Sequence, residues 1–265
     1  MEKKASIGIF GGSGFYKFLD NIEELKIETP FGQPSESVFL GKIGKHNVAF
    51  MPRHGRNHNI LPHKINYRAN VWAMKSLGCE RVISPCAAGS LQKHIKPGEF
   101  VVCDQFVDWT DGRISTIFDG PVATHVSAAE PYCPEMRKLA VEAGRKLGIT
   151  VHNGGTVVVI NGPRFSTKSE SKFFTAQGWE VINMTAFPEA YIVKEMDMCP
   201  LNISLITDYD AGLVGDVPPV SHHDVIKVFN ANIENLKNLL FELVENTPLE
   251  RTACDCATTV QNSRF

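Results

Sequence analysis

No apolar run in the chain approaches the ~18 residues needed to cross a bilayer as a helix. The longest, Thr156-Val157-Val158-Val159-Ile160, is the size of one strand. Nor is there an excess of either charge. Lys and Arg total 27, Asp and Glu 29, and the net charge is −2. That balance gives no bulk electrostatic case for nucleic acid or a membrane surface, so an anionic ligand must be held by local geometry. Gly (21) and Pro (15) are too few among 265 residues for a low-complexity or collagen-like chain. There is no internal repeat and no long linker. The cysteines number seven, an odd count that argues against an extracellular disulfide framework.

What is present fits a soluble enzyme-sized domain. The N-terminal MEKKASIGIFGGSGF superficially suggests a signal peptide, but its apolar patch is short and interrupted by glycines. It reads instead as a first strand entering a glycine turn, and the expected location is the cytoplasm. Strand patterns cover 6–10, 37–42, 46–52, 80–84, 99–103, 155–160, 180–183 and 201–206. Helical patterns cover 62–77, 134–147, 168–177, 187–197 and 222–245. Their alternation predicts a single α/β domain with a mixed, mostly parallel sheet flanked by helices. In the last helix Val225, Phe229, Ile233, Leu236, Leu240 and Leu243 form one apolar stripe behind a Ser221 cap and Asp224. The domain spans 1–248; 249–265 is a polar tail, mobile or docked, and 104–131 and 209–220 are the least structured stretches.

Five short motifs bear chemistry. Gly11-Gly12-Ser13-Gly14 follows an apolar strand, where glycine backbone can converge on an anion and Ser13 adds a hydroxyl. It is not a dinucleotide fingerprint, because no long helix follows, and not a Walker A loop, because no Gly-Lys-Ser/Thr follows. Pro52-Arg53-His54-Gly55 ends another strand, and an Arg fork beside a His suits a dianion; the bland reading is a solvated loop. Ser84-Pro85-Cys86-Ala87-Ala88-Gly89-Ser90 reads as a small-residue turn whose N–H groups line an anion or sugar site, or simply pack under a helix. Asn183-Met184-Thr185 precedes a helix, with Met184 a cover for a sugar or base or a core residue. Asp208 and Asp210 follow a buried strand, an expensive place for two carboxylates unless they act. Cys254 and Cys256 form a C-x-C, a weak metal signal because no second ligand pair lies nearby in the sequence.

The ordered set GGSG, PRHGRNH, SPCAAGSL, EPYCP, NGPRFST, VINMTAFPEA and TDYD resembles the 5′-methylthioadenosine phosphorylase branch of the purine nucleoside phosphorylase family, whose members are trimers or hexamers. The match runs from about Ile7 to about Leu243. The resemblance implies phosphorolysis of a purine nucleoside, here 5′-methylthioadenosine, to free base and a pentose 1-phosphate. It implies no metal and no organic cofactor, inorganic phosphate being a co-substrate, and a homotrimer or dimer of trimers. It implies a phosphate site of Ser13, Arg53, His54, Cys86, Ala87 and Thr185. Met184 becomes a ribose contact, Phe165 and Ser166 base-pocket wall, and Asp208 and Asp210 the catalytic base readers. His125 resembles a residue reaching into a neighbouring subunit's site. Disulfides Cys254–Cys256 and Cys133–Cys199 occur in heat-stable members.

The residue types agree with that chemistry. The leaving purine needs a proton at N7, and a carboxyl with a raised pKa can supply it. A carboxylate also accepts from an exocyclic amine, so Asp208 favours adenine over 6-oxopurines. Two departures stand out. Cys86 occupies a position where the family often has Ser or Thr. His222 lies where methylthioadenosine enzymes are commonly apolar, and where enzymes taking 5′-hydroxyl nucleosides often have His. Either His222 enters the 5′ pocket and adenosine is accepted too, or it turns to solvent and Val225 and Ile226 form an apolar pocket. A purine nucleoside phosphorylase preferring 5′-hydroxyl substrates and a non-catalytic nucleoside-binding protein are the alternatives.

Overall fold

The computed structural model describes residues 4–12, 20–212, 218–261 and 263–264. Its strands are β1 (Ile7–Gly11), β2 (Asp20–Leu25), β3 (Val38–Ile43), β4 (His46–Pro52), β5 (Arg81–Ser90) and β6 (Phe100–Val102). They continue with β7 (Gln105–Trp109), β8 (Val151–Asn153), β9 (Thr156–Ile160), β10 (Val181–Asn183) and β11 (Cys199–Asp208). The helices are α1 (Tyr67–Ser76), α2 (Pro134–Leu147), α3 (Lys168–Ala176), α4 (Ala186–Glu195), α5 (His222–Ala231) and α6 (Ile233–Asn246).

One sheet runs in the order β2-β3-β4-β1-β5-β10-β9-β7, with β11 and then β6 and β8 branching from β5. Parallel pairings predominate; β2–β3, β3–β4, β5–β10 and β6–β11 are antiparallel. The central strands are apolar on both sides because both faces are covered. Ile7, Ile9, Ile83, Leu201 and Ile203 pack against Met136 and Ala140 of α2 and Leu236, Leu240 and Leu243 of α6. Phe10, Met51 and Val82 pack against Tyr67, Val71 and Met74 of α1 and Ile192 and Val193 of α4. Among the described residues no helix is long and apolar enough to cross a membrane.

Local chemistry sets the element ends. Pro134 begins α2 and Gly148 ends it in the left-handed conformation (φ 67°), so its bounds match the sequence pattern. Ser221 Oγ accepts from Asp224 N at 3.2 Å, capping α5 as expected. The predicted helix 222–245 is two helices, broken at Asn232, whose amide turns back to donate to Val228 O at 2.9 Å. The apolar stripe survives the break, since Phe229, Ile233 and Leu236 still join one cluster. The pattern over 62–77 becomes a 3₁₀ turn, Pro62–Lys64, and then α1.

Three strands lie where none is predicted. β2 and β8 carry polar residues, and β7 falls in the supposedly irregular 104–131, its Trp109 47% exposed. β5 and β11 are longer than their apolar runs, because each shields the other through Ser84–Gly89 and Asn202–Asp208. The 84–90 segment is therefore strand, not turn. The C-terminal segment is docked: Arg81 Nη2 donates to Glu250 O at 2.8 Å, Val260 N to Asp197 Oδ1 at 2.9 Å, and Thr124 bridges Arg264. It brings Cys254 and Cys256 against Cys133 and Cys199, with all four sulfurs within 4.8 Å of one another.

Candidate active site

The sheet opens beside β5. β1 pairs with β5 only at Arg81–Ile83, and β10 meets it only at Gly89–Ser90. Between those points Ser84–Ala88 have no strand on that edge among the described residues, while β11 follows the other edge. Arg53, just after β4, closes the floor of the opening. Its Nη2 donates to Phe10 O (3.1 Å) and its Nη1 to Pro85 O (3.2 Å), tying β1 to β5 where they part. Its Nε and Nη2 also form a bidentate pair with Glu189 of α4, both at 2.7 Å. Burial alone would lower the guanidinium pKa, but the Glu189 carboxylate outweighs it and raises it. One Nη1 hydrogen remains for a ligand. The expected free fork for a dianion is thus mostly engaged in holding the fold.

His54 departs further from expectation. Its Nδ1 donates to Ile60 O at 2.8 Å, which leaves Nε2 as an acceptor. Burial and the adjacent Arg53 charge push its pKa down to about 4. It is neutral at pH 7 and brings neither charge nor a second donor to an anion. Its ring lies 4.5 Å from that of His58, whose own pKa is lowered by burial and by the nearby His222. The fold thus brings His222, at the start of α5, to the loop after β4.

Cys86, half-buried on β5, is ringed by polar groups. Its sulfur accepts from Asn183 Nδ2 (3.3 Å) and Asn202 Nδ2 (3.5 Å) and lies 3.5 Å from Ser204 Oγ. The S–H is left to donate to Ser204 or a ligand. Asn183 Oδ1 accepts from Thr185 N and Ala186 N, both at 3.3 Å, and so fixes the start of α4. Thr185 is buried, and its hydroxyl makes no cap hydrogen bond. Ala87 sits on the open edge, opposite Leu205 of β11 on the other. Ser13 lies outside the described residues.

At the upper end of β11 the two carboxylates occupy different environments. Asp208 accepts from Thr207 Oγ1 (2.7 Å) and from Asp210 N (2.8 Å). Burial outweighs those bonds, and with the negative charge of Asp210 it raises the Asp208 pKa to about 6. Asp210 is 3% exposed and adopts a left-handed φ of 47°, and its Oδ2 is buried with no hydrogen-bond partner. Burial raises its pKa too, although Ser171 and Ser166 lie near enough to oppose the shift. The Ser166 hydroxyl is itself buried without a hydrogen-bond partner. Gly89 makes room: a Cβ there would lie 2.9 Å from Asp208 Oδ1 and from Ile182 Cγ2.

Of the other residues expected at the site, Met184 is half-buried and lies against Gly162, where a Cβ would meet its sulfur at 2.6 Å. Phe165 is 39% exposed and Ile226 45%, while Val225 is half-buried. His222 is exposed at the helix start. His125 lies on an exposed loop, its N–H bonded to Ser263 O at 2.8 Å. Two site-building residues escape sequence reasoning. Arg113 donates to the carbonyls of Ile160, Asn161, Met184 and Phe187, fastening the 161–165 loop to the start of α4. Glu189 lies in VINMTAFPEA, where sequence reasoning gives roles to Met184 and Thr185 and none to Glu189.

Two largely buried carboxylates at the end of β11 and an unpaired stretch of the β5 edge make the strand ends here the candidate site for a small molecule. The chain matches the phosphorylase superfamily over residues 6–245 and belongs to it. It is 51% identical over 257 residues to the S-methyl-5′-thioadenosine phosphorylase of Thermofilum pendens, covering 96% of this chain and 97% of that one. It is 47% identical over 262 residues to a purine nucleoside phosphorylase of Streptomyces coelicolor, covering 96% and 93%. The solved methylthioadenosine phosphorylase of Schistosoma mansoni in complex with adenine is 33% identical and superposes with a TM-score of 0.92, covering 98% and 99%.

Truncating Glu189 to Ala should destabilise the chain by about 3–5 kcal/mol, because it leaves the Arg53 cation buried and unpaired. Urea unfolding measures this. A midpoint equal to that of the parent would mean the pair does not hold β1, β5 and α4 together.

Proposed function

We propose that the chain catalyses phosphorolysis of 5′-methylthioadenosine to adenine and 5-methylthioribose 1-phosphate, and that it also accepts adenosine. The observation that carries this reading is the Asp208–Asp210 pair, with one carboxyl poised near pH 6 and one buried oxygen lacking a partner. An adenine satisfies both needs: its exocyclic amine donates to a carboxylate oxygen, and its N7 takes a proton from a carboxyl. The relatives' names and the family membership support the same substrate class.

Cleavage of the N-glycosidic bond passes through an oxocarbenium-like sugar. Phosphate enters as the nucleophile, held in the gap beside Ser84–Ala88 by the remaining Arg53 N–H, the Cys86 S–H, the Thr185 hydroxyl, main-chain N–H groups near Ala87 and Ser13. Neutral His54 accepts a hydrogen bond from a protonated phosphate oxygen or a sugar hydroxyl. Positive charge on Arg53 attracts the dianion, although Glu189 offsets part of it. Met184 covers the ribose, and Phe165 and Ser166 border the base. As the bond to C1′ breaks, Asp208 gives its proton to N7 while a phosphate oxygen closes on C1′ from the opposite face. The chemistry uses side chains and a co-substrate, so it calls for no metal or organic cofactor.

The catalytic unit is an assembly, a homotrimer or a dimer of trimers, in which His125 completes a neighbour's pocket. Exposed Trp109, Val122, Phe165 and Phe173 support an apolar contact between copies. A cytoplasmic location fits the seven thiols.

Incubation with 5′-methylthioadenosine should release adenine only when phosphate is present; phosphate-independent release, or none, contradicts the reading. Asp208→Asn should lower that turnover by about 10²–10⁴-fold. It should raise Tm at pH 7. A carboxyl whose pKa is higher folded than unfolded binds more protons when folded, so its contribution is present below the unfolded value and is lost as pH rises through about 6. A variant with parent activity and parent base preference would remove Asp208 from the role.

The 5′ preference is proposed to turn on His222, which is exposed at the start of α5 and near enough to His58 for its charge to lower that ring's pKa. His222→Val should lower the specificity constant for adenosine relative to methylthioadenosine, by about 5- to 100-fold for the loss of one hydrogen bond to a neutral group. An unchanged ratio, or adenosine already excluded by the parent, would show that His222 points elsewhere.

A further inference from the structure

Arg113 lies on the long loop between β7 and α2, remote in sequence from every residue it binds. Its Nε donates to Asn161 Oδ1 at 3.2 Å. Its Nη1 donates to Phe187 O at 2.6 Å and to Tyr67 Oη at 3.3 Å. Its Nη2 donates to Met184 O at 2.8 Å, Asn161 O at 2.9 Å and Ile160 O at 3.3 Å. The five N–H groups of the guanidinium thus meet six acceptors, and none is left for a ligand. No carboxylate is among the six, and four are main-chain carbonyls.

Those carbonyls gather where two strands stop pairing. β9 and β10 run parallel as far as Val159 and Asn183. From there β9 leads into the loop that carries Phe165 and Ser166, and β10 leads into Met184 and α4. The carbonyls of Ile160, Asn161 and Met184 lie just past the last pair, and that of Phe187 lies where the start of α4 leaves helical geometry (φ −114°, ψ 138°). Main-chain groups in such places need donors. One guanidinium supplies them, and by bonding both Asn161 O and Met184 O it fixes how far the loop stands from Met184. The fit is close, since a Cβ on Gly162 would meet the Met184 sulfur.

The Arg113 loop is itself held. The buried Glu195 carboxylate, at the end of α4, accepts from Thr116 Oγ1 at 2.8 Å and from Ile117 N at 2.7 Å. The loop is therefore fastened to α4 at both ends. The expected phosphate side has separate anchors: Asn183 Oδ1 holds the N–H groups of Thr185 and Ala186, and Glu189 holds Arg53. Loss of Arg113 leaves those bonds in place.

We propose that Arg113 is a positioning residue for the nucleoside half of the site: by gathering these carbonyls it sets the gap between Phe165–Ser166 and Met184. The inference rests on the phosphorolysis reading above, which gives those walls to base and ribose. Arg113 has no N–H to spare for either substrate, so it acts through the main chain of the residues around them. A lysine keeps the charge but offers one nitrogen in place of the planar fork.

The test is steady-state kinetics of the full chain and of Arg113→Lys, varying 5′-methylthioadenosine and phosphate in turn. The variant should show a raised KM for the nucleoside and a kcat/KM for it lower by about 10²-fold, the scale of a misplacement of about 1 Å. Its KM for phosphate should equal that of the parent. A merely structural role gives a different result, because partial unfolding lowers kcat with the amount of active enzyme and moves neither KM. Guanidinium ion, below denaturing concentrations, should restore part of the nucleoside affinity lost by Arg113→Ala, and ammonium ion should not. If neither Arg113 variant folds, Thr116→Val decides: it removes the hydroxyl that anchors the loop to Glu195, and should raise the same KM by a smaller factor. Both KM values at the parent level, or both raised alike, would overturn the proposal. A parent that releases no adenine would instead remove the phosphorolysis reading, and the inference with it.

Discussion

The buried Arg53–Glu189 pair is the interaction on which the site depends. The pairing of β1 with β5 stops at Ile83 and that of β10 with β5 is confined to Gly89–Ser90, which leaves part of the β5 edge unpaired among the described residues. The main-chain groups at such a divergence need partners. Arg53 provides them at Phe10 and Pro85, and Glu189 holds Arg53 flat between strands and helix. The same residue thus holds the strands where they part and keeps one N–H without a protein acceptor. A lysine has no fork with which to do both.

The carboxylates are positioned by a different economy of space. β11 runs beside β5 for nearly its whole length, and its last residue, Asp208, fits only because Gly89 has no side chain. Burial raises the pKa of each acid, but Thr207 and a main-chain N–H satisfy Asp208, whereas Asp210 keeps an oxygen without a partner. The roles proposed for them follow that asymmetry: burial brings one carboxyl to about pH 6, and the other keeps a buried oxygen without a hydrogen-bond partner.

Much of this was legible in the chain. Pro134 and Gly148 mark α2 to the residue, and apolar runs locate the inner strands because both sheet faces are covered. Asp208 and Asp210 draw attention because two carboxylates after a buried strand are expensive without a purpose, Arg53 as a donor fork beside a glycine, and Cys86 through its small-residue neighbours. Other features depend on contacts distant in sequence. Ser84–Ser90 looks like a turn, since Pro85 and Gly89 break a local pattern, yet β11 keeps it extended. His54 looks like a cationic donor until Ile60 takes its proton and burial neutralises it. Arg113 has no local signal beyond a neighbouring glycine, and Cys133 lies more than a hundred residues from Cys254.

The central claim is that Asp208 protonates the departing base while phosphate attacks. A 7-methylated nucleoside already carries the positive charge that N7 protonation would create, so its departure needs no acid. The direct measurement is the turnover of Asp208→Asn relative to the parent on 5′-methylthioadenosine and on its 7-methylated counterpart, at saturating phosphate. The account predicts a large loss on the first substrate and little or none on the second. Equal losses on both would contradict it and reduce Asp208 to a binding group.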